Sequence, residues 1–293
     1  MIFLNFLIFI FGAGIGSFLN VLIDRLPNNE GIGGRSYCNH CRHQLAWYDL
    51  IPIVSFFLLK GKCRYCGKKI SWQYPVVELM TGAIFVFTTS VIPSEGALAT
   101  ESRNLFIFNF GSTLMGSLDA LRLFGMTIRL GLVSCLIVIF FSDLKYQIIP
   151  DTIQVAFFVF ILLLKLGEIF QQGCIGNQLL HCYIVTLLHC YIAGLLVLTP
   201  ILFLFLVTGG RGMGFGDVKL AFNMGFLLGA KAGFLALYFG FVLGGIVGLI
   251  LLLAKKKKLK SKIAFGPFLV LGIIIMLFWQ KEIFEFVNKI YGF

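Results

Sequence analysis

The chain is short of charge. Only 13% of its 293 residues are Asp, Glu, Lys or Arg, against roughly 25% in an average globular protein. So few charges cannot cover the surface of a soluble globule of this size, and a 59% hydrophobic content excludes a disordered chain. Acid is scarcer still: 13 Asp and Glu stand against 24 Lys and Arg, a net charge of +11. The first residues lack a basic n-region and an A-x-A-like cleavage site, so they read as a span rather than a removable signal peptide. No internal repeat and no dinucleotide-type glycine loop is present. What abounds is apolar: mean hydropathy is +0.95 and 33 residues are Phe. The fold class that remains is an all-α polytopic membrane protein.

A helix crosses the bilayer core with about 20 mostly apolar residues. Eight stretches qualify: 1–23, 76–93, 124–142, 152–170, 182–207, 218–232, 233–254 and 264–279. The sixth is the weakest, being short and carrying Lys219 and Asn223. Small residues spaced by four (Gly12 and Gly16; Gly240, Gly244 and Gly248) suit close helix contact, or reflect the ordinary tolerance of glycine in membrane helices.

Eight spans sort the connecting loops into two sets. One set holds Arg25, Arg35, Arg42, Lys60, Lys62, Arg64, Lys68, Lys69, Lys145, Arg211 and the lysine run 255–262, with Lys219 just inside span six. The other holds Arg103, Arg122, Lys231, Lys281 and Lys289. The bias places the first set in the cytoplasm. The net charge then reads as orientation and contact with anionic lipid. Nucleic acid fits poorly, since the lysine run has no interleaved aromatics.

Residues 1–93 form an amino-terminal lobe of two spans around a polar cytoplasmic insert, 24–75. Residues 124–279 form a six-span lobe. Between them, 94–123 reads as a polar, irregular non-cytoplasmic linker, with an interfacial helix as the alternative. The tail 280–293 reads either as an amphipathic surface segment or as the end of span eight.

The insert contains Cys38-Asn39-His40-Cys41 and Cys63-Arg64-Tyr65-Cys66-Gly67. Two CxxC knuckles suit one tetrahedral Zn²⁺ in a structural role. Disulfides are the alternative, disfavoured in a reducing cytoplasm. Between the knuckles, the apolar segment Trp47 to Phe57 packs on this module, dips into the membrane interface, or lines a binding groove.

With so few acids, their placement matters. Asp143 ends span three, Asp151 opens span four and Asp217 opens span six, all at the cytoplasmic edge. An ionisable group there is a functional hypothesis. Asp151 follows Pro150 and reads best as a helix cap. Asp217 follows the Gly214-Phe215-Gly216 turn and can also cap. Asp143 lies at a helix C-terminus, where the macrodipole disfavours an anion. Two carboxylates brought together can share a proton, one activating water and the other polarising a carbonyl. From spacing alone, an ion transporter with aspartate ligands, or a non-catalytic scaffold with a zinc module, fits as well.

Taken in order, the motifs carry a resemblance. They are Gly16-Ser17-Phe18-Leu19-Asn20, the four cysteines, Trp47-Tyr48-Asp49-Leu50-Ile51-Pro52, Tyr74-Pro75-Val76-Val77-Glu78, Asp143 with Ile149-Pro150-Asp151, Gly214-Phe215-Gly216-Asp217-Val218-Lys219, and Phe265-Gly266-Pro267. The chain resembles the type IV prepilin peptidases, GxGD-class aspartyl proteases of the bacterial inner membrane. The resemblance implies leader cleavage of prepilins or pseudopilins on the cytoplasmic side. It also implies N-methylation of the new amino terminus from S-adenosylmethionine. It places the catalytic pair on Asp143 and Asp217, with Gly214, Gly216, Asp151 and Lys219 as supporting motif residues. The metal ligands fall on Cys38, Cys41, Cys63 and Cys66. Glu78 is the candidate for handling the substrate amine, or else a buried partner for a backbone donor or an Arg. Asn39 stands where the family commonly has Pro. Asp24, Glu30 and Asp49 are the acids available to a basic leader. Neither the oligomeric state nor the choice among pilus, secretion and competence systems is encoded visibly.

Overall fold

The computed structural model describes residues 2–101, 112–171, 177–210, 212–254 and 264–291. The described residues are helical, with no strand beyond two isolated bridges, Tyr37 to Gln44 and Lys62 to Lys69. The chain divides into two compact units, Met1–Val138 and Ile139–Phe293.

In the first unit, α1 (Ile2–Arg25) precedes the insert, which holds the short α2 (Val54–Leu58) and leads into α3 (Gln73–Glu101). Helices α1 and α3 pack through small residues. A Cβ on Gly16 would stand 2.8 Å from the Glu78 Cα, and one on Gly12 would stand 2.9 Å from the Phe85 ring. The Gly12/Gly16 spacing is therefore a contact seam in which backbones approach closely. A long α4 (Ser112–Tyr146) carries the chain across the boundary between the units.

The second unit continues with α5 (Asp151–Gln171), α6 (Asn177–Thr208), α7 (Phe215–Leu228), α8 (Ala230–Leu253) and α9 (Gly266–Tyr291). Gly240 and Gly244 of α8 lie against Phe268 of α9. Gly225 of α7 would drive a Cβ to 2.7 Å from the Ala193 carbonyl of α6. This is the bilayer version of core packing, where small residues replace large ones at the helix crossings.

The span count differs from expectation. Among the described residues, six helices are long and apolar enough to cross a membrane: Phe3–Asn28, Phe124–Tyr146, Asp151–Ile169, Leu180–Thr208, Ala230–Leu253 and Gly266–Lys289. The protein is thus a multi-pass membrane protein. The expected second span falls on α3, whose side chains are described only as far as residue 89. The expected sixth, 218–232, is not a full span: α7 has 14 residues and stops at Leu228. Gly229 ends it at φ 82, where the chain turns directly into α8. The expected boundary between 232 and 233 falls just inside α8.

The linker also differs. Helix α3 continues through 94–101 and α4 already covers 112–123. The good helix formers Glu95, Ala97, Leu98 and Ala99 outweigh Gly96 and the polar composition that suggested a loop. Residues 102–111 lie outside the described residues, as do Arg211, Cys174 and the lysine run. The tail is the end of α9, which continues to Tyr291 past a kink at Trp279 (φ −119, ψ 21).

Candidate active site and metal centre

Four thiols meet in the insert. The Sγ atoms of Cys38, Cys41, Cys63 and Cys66 all lie within 4.8 Å of one another. Zn–S bonds of about 2.3 Å in a tetrahedron would set sulfurs about 3.8 Å apart. Cys38 and Cys66 stand at 3.9 Å, a fit to metal ligation rather than to a bond between sulfurs. The two knuckles share one design. The Cys38 N–H donates to the His43 carbonyl (3.0 Å), and the Cys63 N–H to the Lys68 carbonyl (2.8 Å). Each second cysteine is followed by a left-handed residue, Arg42 (φ 58) and Gly67 (φ 68). Burial raises the Cys38 thiol, but the Cys41 and His40 N–H groups and neighbouring thiols outweigh it and leave Cys38 lowered to about 7. At Cys66 the Lys68 N–H lowers the thiol, but burial and the three other sulfurs prevail and raise it to about 11. Four thiols this close favour a bound cation, because metal ligation requires them as thiolates.

The insert is fastened to its helices by polar groups. Buried Arg25, the last residue of α1, donates to the carbonyls of Gly31, Ile32, Gly33 and Arg35 at 2.8–3.2 Å. Asn39, in the place of the family's Pro, donates to Asp24 Oδ2 (3.1 Å) and to the Tyr74 hydroxyl (2.9 Å). The knuckle thus exchanges ring stiffness for a tether to α1. The three acids that might have received a basic leader are already engaged. Asp24 also accepts from the Tyr74 hydroxyl, Glu30 from Tyr37 and Arg42, and Asp49 from Arg64 at 2.8 Å.

Glu78 is buried on α3, and its Oε2 accepts the Ile53 N–H at 2.7 Å. Ile53 is a β-branched residue at φ 62, ψ −52, with the Val54 N–H bonded back to the Pro52 carbonyl. This is a strained γ-turn, costing about 1–3 kcal/mol. The carboxylate offsets part of that cost. Of the two roles open to Glu78, the geometry therefore matches the partner of a backbone donor.

The three membrane-edge aspartates separate by environment. Asp151 lies in the first turn of α5 and is exposed. Its Oδ1 is held by Lys219 Nζ at 2.7 Å, so its partner is a lysine rather than the expected cap donor of its own helix. Lys219, two residues beyond Asp217, is thereby paired with Asp151. Asp143 and Asp217 are only 5% and 7% exposed, and neither makes an ion pair among the described residues.

Their hydrogen bonds are few. Asp143 Oδ2 accepts the Gly266 N–H at 2.9 Å. Asp217 Oδ2 accepts the Gly214 N–H at 3.2 Å, so one oxygen does the work of a cap. The other, Oδ1, is buried with no partner among the described residues. The two carboxylates are close enough to interact electrostatically. Ile149 joins the two halves: it stands 3.1 Å from where a Cβ of Gly216 would be, and its Cδ1 3.1 Å from where one of Gly266 would be. A Cβ on Gly266 would also come within 2.7 Å of Asp143 Oδ2, so position 266 has room only for glycine.

Two contributors had no sequence signal. Ser142 is fully buried and its Oγ donates to the Ile148 carbonyl at 3.0 Å, fixing the turn after Asp143. Gln154 is also buried. Its Nε2 donates to the Gly216 carbonyl at 2.7 Å, and Asn223 Nδ2 donates to its Oε1 at 3.4 Å. A glutamine in an apolar helix marks itself only by being polar. Gln154→Leu deprives the Gly216 carbonyl of its donor, at a cost of about 1–3 kcal/mol. The expected result is a fall in kcat for the peptidase reaction of about tenfold with a smaller change in KM. Steady-state kinetics alongside thermal unfolding will check it, and equal losses in folding and activity would reduce Gln154 to a packing residue.

Two family models match the chain in succession: the Bacterial Peptidase A24 N-terminal domain over residues 10–92, and the Type IV leader peptidase family over 130–249. A prepilin leader peptidase/N-methyltransferase of Aeromonas hydrophila is 30% identical, covering 94% of this chain and 91% of its own. The chain belongs to the type IV leader peptidase family. A protein of the same name from Bacillus subtilis is 29% identical over 97% of both chains. One from Myxococcus xanthus is 49% identical over 79 residues, 27% of this chain and 24% of its own. No solved structure matches the chain.

Proposed function

We propose that this protein is an aspartyl endopeptidase that removes the leader of type IV prepilin or pseudopilin precursors, with Asp143 and Asp217 as its catalytic pair. The supporting observation is two buried, interacting carboxylates without a counter-ion among the described residues, one of which keeps an oxygen with no partner among them. Like charges in so dry a site resist joint ionisation. The ionised member takes a proton from water while the protonated member polarises the scissile carbonyl. The transporter alternative finds less support, because a backbone N–H occupies one oxygen of each carboxylate, an arrangement suited to holding an anion in place.

The bias of basic residues in the sequence supports a site at the cytoplasmic face of the inner membrane, in contact with anionic lipid. Cys38, Cys41, Cys63 and Cys66 hold one structural Zn²⁺ that orders the insert. The amino-terminal lobe, residues 1–93, serves N-methylation of the trimmed amino terminus. S-adenosylmethionine supplies the methyl group, and Glu78 acts there by holding the Ile53 turn.

Purified full-length protein incubated with a prepilin in detergent or lipid tests both activities by mass spectrometry. The expected product is cut after the leader glycine. Its new amino terminus is heavier by one methyl group when S-adenosylmethionine is supplied. Uncut precursor overturns the peptidase assignment, and a cut but unmodified terminus overturns methyl transfer alone.

A further inference from the structure

The insert has an apolar surface that neither the thiol cluster nor the tethers use. Phe57 of α2 and Trp72 meet edge to face with ring centroids 6.2 Å apart. Even so, they remain 59% and 65% exposed, and Leu58 beside them is 77% exposed. Trp72 is in helical register with α3, since its carbonyl accepts the Val76 N–H at 3.2 Å. Positions 72, 76, 79 and 80 therefore share one face. Val76, Leu79 and Met80 on that face are all exposed. The stripe does not stop where α3 begins: through Trp72 it runs on to Phe57, in the insert itself.

Between Phe57 and Trp72 every charged residue is basic. Lys60, Lys62, Lys68 and Lys69 are all exposed. The acids of the insert are spent elsewhere, Glu30 on Arg42 and Asp49 on Arg64. Nor is the patch free to swing away. Arg25 fixes the start of the insert to α1, and Glu78 holds Ile53, the residue just before α2, to α3.

We propose that this face of the insert beds into the membrane–water interface. Phe57, Leu58 and Trp72 lie at the acyl boundary, and the four lysines lie against anionic headgroups. Aromatic rings with apolar neighbours and a flanking cationic ring are the composition of an interfacial anchor. Each lysine adds electrostatic attraction that falls off within a Debye length, so the lysines act only if the patch is at the surface. The occupant is lipid and not a substrate helix because the patch is continuous with the outer stripe of α3. The inference rests on the multi-pass reading of the chain and is independent of the peptidase assignment.

The chain has three tryptophans, Trp47, Trp72 and Trp279, so one can be left to emit alone. Trp47→Phe with Trp279→Phe leaves Trp72. The full-length variant is placed in vesicles of zwitterionic and anionic phospholipid whose acyl chains are brominated near the carbonyl end. The expected result is that bromine removes more than half of the Trp72 emission while aqueous iodide removes little. Lys68→Glu with Lys69→Glu should weaken the bromine quenching and admit iodide. A companion variant with Trp47→Phe and Trp72→Phe leaves Trp279 on α9 as a gauge of insertion. Trp279 quenched by bromine and Trp72 quenched only by iodide would overturn the inference and leave the multi-pass reading standing. Neither residue quenched by bromine overturns both. Protection of Trp72 from iodide only after a prepilin peptide is added would give the face to substrate, again against the inference.

Discussion

Asp143→Asn and Asp217→Asn each lower prepilin cleavage by about a thousandfold or more, the range expected when a general acid or base is lost. The exchange is nearly isosteric. An asparagine Oδ1 still accepts from Gly266 or Gly214, so the turns that hold each side chain survive. What disappears is the capacity to carry a proton or a charge. Asp151→Asn, by contrast, keeps most of the activity. It loses an exposed pair with Lys219, and such pairs contribute about 0–1 kcal/mol. Cleavage of a prepilin by the three purified variants, with thermal unfolding as a control, decides the matter. Turnover like the wild type by either buried variant sinks the pair. A loss at Asp151→Asn as deep as at Asp217→Asn would mean that the wrong partner was chosen.

The second large effect belongs to the metal. Structural Zn²⁺ contributes about 10–16 kcal/mol of apparent folding free energy in small thiolate modules. The insert has little apolar core of its own: of the side chains in α2, only Phe56 is buried. Cys63 is the buried ligand of the four, so Cys63→Ser cannot be rescued by solvent. The expected outcome is near one Zn per chain in the native protein and near none in the variant, with the insert open to protease. Methyl transfer then falls further than cleavage, because both aspartates lie in the other unit. Metal analysis of native protein well below one Zn per chain would count against the assignment.

Much of the site was legible because the chemistry is local. Two CxxC knuckles announce four ligands by spacing alone. The aspartates were visible because the sequence has so few acids. Telling them apart was only partly legible. Asp143 drew attention as an anion at a helix C-terminus. Its stabilising donor, the Gly266 N–H, comes from 123 positions away in the chain, and no local pattern carries that. Asp151 read as a cap because Pro150 precedes it, yet its partner is Lys219 on another helix. Asn223 counted against a span, since a polar residue weakens a hydropathy window. It is 5% exposed and bonded to Gln154, so the same polarity supports the site instead.

The shortness of α7 reaches beyond the site. Fourteen residues rise about 21 Å, against a hydrocarbon core of about 30 Å. Its start, with Asp217 in the first turn, and its end at Gly229 cannot both reach the two surfaces of an undeformed bilayer. The local mismatch is relieved by thinning of the lipid or by sinking the Gly214–Asp217 turn below the headgroups. Either way, bilayer thickness bears directly on how the Asp217 end of the helix sits at the membrane edge.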